Sequence, residues 1–142
     1  MKSSAWGLTA LRLCLSVFFL FEAIGKLGWF ASSAVLRERL VEWADSAPAL
    51  SRAYIQTVCL PGVEAFCRLV PLGEFSVAIA FLLGGYTRLA ALLGLLMVLN
   101  FHFASGIMFT YGYLTNGYGP PVIGGLLALA LGGASLPLSV RR

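Results

Sequence analysis

Ionisable side chains inside apolar stretches are the residues of this sequence whose types and spacing could do chemistry. The set is Arg12, Glu22, Lys26 and Glu74. A charge in hydrocarbon costs at least about 2.5 kcal/mol, so such groups normally face the interior of a helix bundle or pair with one another. Glu22 and Lys26 are four residues apart with the acid first, which predicts an ion pair within one helix. Glu74 has no basic residue one turn away, so we expect its partner on another helix.

Depth along two neighbouring helices suggests which groups meet Glu74. Counted from the turn near Tyr86, Glu74 lies twelve residues back and Asn100 fourteen forward, which gives similar levels at about 1.5 Å per residue. His102 lies close to that level, so Glu74 and His102 form a candidate proton relay. The acid could hydrogen-bond a quinone, and Asn100 and Arg12 are candidates to line the same quinone pocket. The alternative is a polar network that only stabilises the helices.

Aromatic residues are interleaved with Gly and Pro after the third apolar segment. They are Phe109, Tyr111, Tyr113 and Tyr118. Tyr111 is a further candidate for the quinone pocket, since these rings could line its entrance. An ordinary belt of aromatic side chains at the membrane surface explains the same pattern.

Three cysteines, Cys14, Cys59 and Cys67, form no CxxC motif and no cluster with the single histidine. Covalent haem and zinc sites therefore lack ligands, and we expect no metal site and no covalently bound cofactor. Pro61 and Gly62 lie between Cys59 and Cys67 and would allow the chain to close. A disulfide between them is one interpretation, and two buried unpaired thiols are the other.

The amino-acid composition indicates whether these side chains lie in water or in a membrane. The chain has 142 residues, of which 59% are hydrophobic and 11% charged, and its mean hydropathy is +0.88. A soluble domain is nearer 45–50% apolar and about 25% charged, so the sequence predicts an integral membrane protein. The ten basic residues are scattered, which argues against nucleic acid and favours contacts with lipid head groups.

The elements that must position these side chains are helices. We expect crossings over about 5–27, 63–84, 88–109 and 121–138, with an amphipathic segment over about 33–47 between the first two. The prediction is an all-α four-helix bundle that forms a single membrane domain.

The amphipathic segment has its apolar residues at helical spacing. Leu36, Leu40 and Trp43 fall at positions i, i+4 and i+7, and its charged residues occupy the other face. Such a helix lies along the membrane surface or packs over the mouth of the bundle.

Basic residues also indicate an orientation. With the N-terminus inside, one side has Lys2, Arg88, Arg141 and Arg142, while the third loop has none. This distribution follows the positive-inside rule and predicts a bacterial inner membrane protein with both termini cytoplasmic. The first loop opposes it, because that loop carries Arg37, Arg39 and Arg52.

Short motifs resemble one known family. They are "EAIGK" from Glu22, "GEF" around Glu74, "LLGGYTRLAA" from Leu82 and "NFHF" from Asn100, with "NGYGPP" after it. Together with Arg12 they resemble the DoxX/DoxD family of small four-helix membrane proteins. The resemblance implies a bundle sometimes found as a membrane subunit of thiosulfate:quinone oxidoreductase, and it brings no established catalytic residues to these positions.

Two functions stay open on the sequence alone. The first is a quinone-linked redox subunit whose electron donor is carried by a partner protein. The second is a non-catalytic accessory subunit that packs against a larger membrane complex and stabilises it. Both predict other membrane protein subunits and lipids as partners.

Overall fold

The computed structural model describes the backbone of residues 2–140 and the side chains of residues 4–140, and all regular structure in that range is helical. The helices are α1 (Lys2–Gly25), α2 (Ala34–Ser46), α3 (Ala49–Tyr54), α4 (Val63–Leu83), α5 (Thr87–Ala104) and α6 (Pro120–Gly132). A π-helical turn, Ile55–Cys59, continues α3, and short 3-10 turns cover Leu27–Phe30, Ile107–Phe109 and Tyr111–Thr115. Arg141, Arg142 and the side chain of Lys2, on which the predicted orientation partly rests, lie outside the described residues.

Three of these helices are long and apolar enough to cross a membrane. They are α1 over Ser4–Gly25, α4 over Val63–Leu83 and α5 over Thr87–Ala104. At 1.5 Å per residue, the 21 residues of α4 extend about 31 Å, which matches a hydrocarbon core of about 30 Å. The all-α prediction is confirmed for the described residues.

Two predicted helices end earlier than expected. The segment predicted over 88–109 stops at Ala104, because Gly106 adopts a left-handed φ of 73° that an α-helix does not contain. The fourth predicted crossing, over 121–138, stops at Gly132, where a second glycine follows and Pro137 lies a few residues further on. α6 therefore has 13 residues, about 20 Å, and is shorter than the hydrocarbon core.

The main core lies between α1 and α4, which run antiparallel. Phe19 on α1 and Phe81 on α4 are fully buried against each other, with ring centroids 6.2 Å apart. The Ser16 hydroxyl donates a 2.7 Å hydrogen bond to the Ala78 carbonyl. α6 completes this core from α1's other side, where Gly125 lies so close that a Cβ would be 3.2 Å from Leu11. These contacts fix the register of α1 against α4, and so the level at which their charged residues meet.

A second core positions α2 over one end of the long helices. Leu36 and Leu40 of α2 are buried together with Ile55, Val63 and Ala104. The charged residues of α2 are exposed. This packing places the face of α2 that carries Trp43 against the site described next.

Candidate functional site

A cavity of about 470 Å³ lies between the second half of α1, the middle of α4, the end of α5 and the inner face of α2. Its walls combine six aromatic rings with six polar or charged side chains. The rings are Phe18, Phe19, Trp29, Trp43, Phe101 and Tyr118, and the polar side chains are Glu22, Lys26, Arg39, Glu74, His102 and Ser105. The volume is typical of small-molecule sites.

Lys26 connects two carboxylates at the wall of this cavity. Its Nζ lies 2.8 Å from Glu22 Oε2 and 2.8 Å from Glu74 Oε1. The same ammonium group lies 5.9 Å from the ring centroid of Trp29 and 5.7 Å from that of Phe101. The predicted pair of Glu22 and Lys26 is confirmed. The cross-helix partner of Glu74 is Lys26, not the predicted cluster on α5.

Glu74 has an unsatisfied oxygen at the cavity. The side chain is 6% exposed, and its Oε2 is buried with no hydrogen-bond partner among the described residues. An unsatisfied buried oxygen costs about 1–3 kcal/mol. The carboxyl group therefore gains from a donor or from a proton of its own, and a hydroxylated ring between aromatic walls fits this requirement.

His102 lines the same cavity from α5, and Tyr113 orients it. The His102 Nδ1 atom is 2.8 Å from the Tyr113 hydroxyl, and the two rings meet edge to face with centroids 5.1 Å apart. Burial raises the pKa of Tyr113, so the phenol keeps its proton and can donate it to Nδ1 of a neutral imidazole. Glu74 and His102 thus share one cavity, but no direct hydrogen bond joins them in the described part of the chain.

Two other predicted pocket residues lie outside this cavity. Asn100 accepts a 2.5 Å hydrogen bond from the Tyr54 hydroxyl and lines a separate space of about 30 Å³. Tyr111 is 84% exposed and does not line the main cavity. The turn at the end of α5 carries Tyr111 away from the helices, whereas Tyr113 turns inward.

Arg12 belongs to the opposite end of the packed helices. It lies ten residues before Glu22 on α1, about 15 Å away along the helix. Its fully buried guanidinium group donates hydrogen bonds of 2.6 Å to Ser139 Oγ and 2.8 Å to the Leu138 carbonyl. Arg12 therefore holds the segment after α6 and does not line the cavity described above.

The disulfide interpretation does not agree with the structure, in which Cys59 and Cys67 are free, buried thiols. The Cys67 thiol donates a 3.2 Å hydrogen bond to the Glu64 carbonyl. Burial raises the pKa of Cys59, while its interaction with the Tyr54 side chain acts in the opposite direction. Among the described residues, no group of three or more His, Cys, Asp or Glu side chains could hold a metal ion.

Several residues of the site were not predicted. Trp43 had a signal, because it shares the apolar face of α2 with Leu36 and Leu40. Arg39 and Tyr113 had no such signal. The local sequence around a surface arginine or a loop tyrosine does not indicate whether its side chain faces a cavity or the surroundings. Both are brought to the site by packing between segments far apart in the chain.

Three apolar helices of membrane-spanning length around an aromatic cavity with buried charges define an integral helical membrane protein. A family model described as DoxX matches residues 7–105, well over half of the 142 residues. The chain belongs to the DoxX family. The match contains every charged side chain of the cavity. No significant match is found among curated proteins or among solved structures.

Proposed function

We propose that this DoxX-family protein is the membrane subunit of a quinone-dependent oxidoreductase, with the quinone head group held in the aromatic cavity and the electron donor on a partner protein. One observation carries the proposal. Glu74 of α4 and His102 of α5, both capable of proton exchange, line the same cavity from different helices. The distribution of Lys and Arg favours a bacterial inner membrane with both termini cytoplasmic.

The side chains of the cavity have different roles in this proposal: some stack on the ring, some position other groups, and two exchange protons. A bound quinone supplies the electron-transfer chemistry. Aromatic rings from α1, α2, α5, the turn Leu27–Phe30 and the segment before α6 provide surfaces on which a flat ring can stack. Lys26 holds Glu74 Oε1 in place, and Tyr113 fixes the orientation of the His102 ring. Glu74 and His102 are then available to hold or move protons at the head group.

The charges of the cavity support a neutral ligand. Glu22 and Glu74 are matched by Lys26 and Arg39, so the wall has no net charge when all four are ionised. A ligand with a strong charge of either sign would disturb this balance in a medium that screens charge poorly. Quinones and quinols are neutral. A quinol hydroxyl can donate to the unsatisfied Glu74 oxygen, and a protonated Glu74 can donate to a quinone carbonyl.

The direct test is quinone binding by the purified protein in detergent micelles, together with quinone reduction by the complex that co-purifies with it. We expect Glu74→Gln and His102→Ala to weaken binding about tenfold or more, a loss of about 1.4 kcal/mol, and to abolish reduction while assembly survives. Glu64→Gln is the matched control, because it changes an exposed acid of the same helix outside the cavity. Unchanged binding and turnover in both cavity variants would reject the proposal.

A second candidate is a non-catalytic accessory subunit, and the outer face of α2 favours it. Val35 and Val41 are each 47% exposed on a helix outside the three membrane-spanning segments, where another subunit could cover them. If docking is the whole function, Val35→Asn with Val41→Asn releases the partner, while Ser46→Asn on the same helix does not. Co-purification of the partner with the double variant would argue against this candidate.

A further inference from the structure

Three side chains lead from the buried acid of the cavity towards the end of α1. Glu74 is 6% exposed, Lys26 is 11% exposed and Glu22 is 42% exposed. Each neighbouring pair is joined at 2.8 Å. Glu22 lies within one turn of Gly25, where α1 ends. Exposure therefore rises along a continuous line of hydrogen-bonded groups.

We propose that Glu22 is the residue through which the cavity exchanges protons with its surroundings, and that Lys26 relays the proton between Glu22 and Glu74. The use of this path for a quinone rests on the proposed function, but the path itself consists only of side chains of this chain. Glu22 does not need to touch the quinone, because it acts through Lys26 and Glu74.

The transfer balances without any other reactant. The Lys26 ammonium group gives a proton to the Glu22 carboxylate, so an N–H bond breaks and an O–H bond forms. The protonated Glu74 carboxyl group then returns a proton to the Lys26 amine, so an O–H bond breaks and an N–H bond forms. Glu74 ends as a carboxylate, Glu22 as a neutral acid and Lys26 unchanged. No electrons move, and the net charge of the three groups is the same before and after.

Packing around Lys26 restricts the other groups with which it could exchange a proton. Trp29 and Phe101 flank its ammonium group, and in the described part of the chain its ion-pair partners are Glu22 and Glu74 alone. Arg39 from α2 and His102 from α5 also face the cavity. The Arg39 guanidinium cannot release a proton in this range of conditions. His102 is hydrogen-bonded to the buried Tyr113, and not to Lys26, whose ion-pair partners in the described residues are the two glutamates.

The test follows exchange of the Glu74 carboxyl proton for deuterium by infrared spectroscopy, at acid pH and without quinone. The carboxyl band of Glu74 is identified as the infrared band that the wild type shows and the Glu74→Gln variant lacks. We expect Glu22→Gln to slow its exchange tenfold or more, because an amide of the same shape cannot carry the proton. Glu22→Asp is expected to retain fast exchange, and Glu64→Gln is the control acid on α4.

Two further measurements separate a proton path from a structural ion pair. Formate, a small weak acid, should restore fast exchange in Glu22→Gln, which a merely structural role would not predict. Lys26→Arg should also slow exchange, since arginine keeps the ion pairs but holds its proton too firmly to relay it. It serves as the second variant if Glu22→Gln does not fold.

The proposal is overturned if the Glu74 band exchanges equally fast in the wild type, Glu22→Gln and Lys26→Arg, or if no Glu74 carboxyl band is found at any acid pH. Its failure is distinguishable from failure of the proposed function, because the exchange needs no quinone. Normal quinone binding with unaltered exchange in Glu22→Gln would reject only the path. Slowed exchange in Glu22→Gln, together with a wild-type protein that exchanges fast but binds no quinone, would reject only the quinone.

Discussion

Lys26 Nζ and Glu74 Oε1 are 2.8 Å apart, although 48 residues separate them in the sequence. Both side chains are nearly buried, so this pair joins the end of α1 to the middle of α4 inside the protein. The same contact forms part of the cavity wall. Stability and the chemistry proposed for the cavity therefore depend on one interaction.

Removing the cation is expected to destabilise the protein. Lys26→Met leaves the buried Glu74 carboxyl group without its partner, a change that costs about 3 kcal/mol for a buried pair. Thermal unfolding in detergent, followed by circular dichroism, measures this loss. Adding Glu74→Leu to Lys26→Met should recover most of it, because the only carboxylate then left without its cation is Glu22, which is 42% exposed. Equal stability of Lys26→Met and the wild type would show that the pair contributes nothing to the fold.

The turn between α4 and α5 requires glycine at one position and not at the next. Gly84 has a φ of 70°, and a Cβ there would overlap Arg12 Nη1. Gly84→Ala should therefore lower the free energy of unfolding by more than about 1 kcal/mol. Gly85→Ala is the matched control, because a Cβ at Gly85 meets no atom within 4 Å. The prediction fails if the two substitutions have equal effects on thermal unfolding.

Arg12 is expected to hold the segment that follows α6. In Arg12→Met the hydrogen bonds to Leu138 and Ser139 are lost, so amide exchange over residues 133–140 should accelerate. Hydrogen exchange with mass spectrometry detects the change. Arg88→Met, which removes an exposed guanidinium group bonded to the Ala130 carbonyl, should leave that segment protected. Quinone binding should be unaffected by Arg12→Met, since Arg12 lies about 15 Å from the level of Glu22.

Stability should decrease at alkaline pH, and Cys59 should account for part of the decrease. Burial raises the pKa of the Cys59 thiol, so the folded protein holds this proton more firmly than the unfolded chain. The contribution to stability is complete below the ordinary thiol pKa and is lost as pH rises through the raised folded value. Thermal unfolding in detergent across that range should show a smaller decrease for Cys59→Ala. Thr57→Ala, an exposed and non-titrating neighbour, should behave as the wild type.

The spacing of residues along the sequence was sufficient to predict part of the candidate site. The pair of Glu22 and Lys26 follows from positions i and i+4 on one helix, which any α-helix brings together. Glu74 and His102 could be placed at similar depth because the short turn near Tyr86 fixes α4 against α5. Both inferences needed only the geometry of one helix or of two helices joined by a tight turn.

The contact of Lys26 with Glu74 could not be obtained in this way. α2 and α3 lie between α1 and α4, so counting residues gives no depth for α1 relative to α4. Side-chain packing, including the Ser16 hydrogen bond to Ala78, sets that register instead. Arg12 was misplaced for the same reason, because nothing in its local sequence indicates that residues 138 and 139 return to meet it.

Photolabelling with an azidoquinone is the most direct test of the central claim that a quinone occupies the cavity of Glu74 and His102. The labelled peptides, identified by mass spectrometry, should contain residues 18–29 or 97–107, and excess unlabelled quinone should prevent the labelling. A second cavity of about 360 Å³ at the opposite end, lined by Gly84, Arg88 and Gly133, provides the contrast within the same molecule. Labels confined to residues 84–89 or 133–134 would contradict the account.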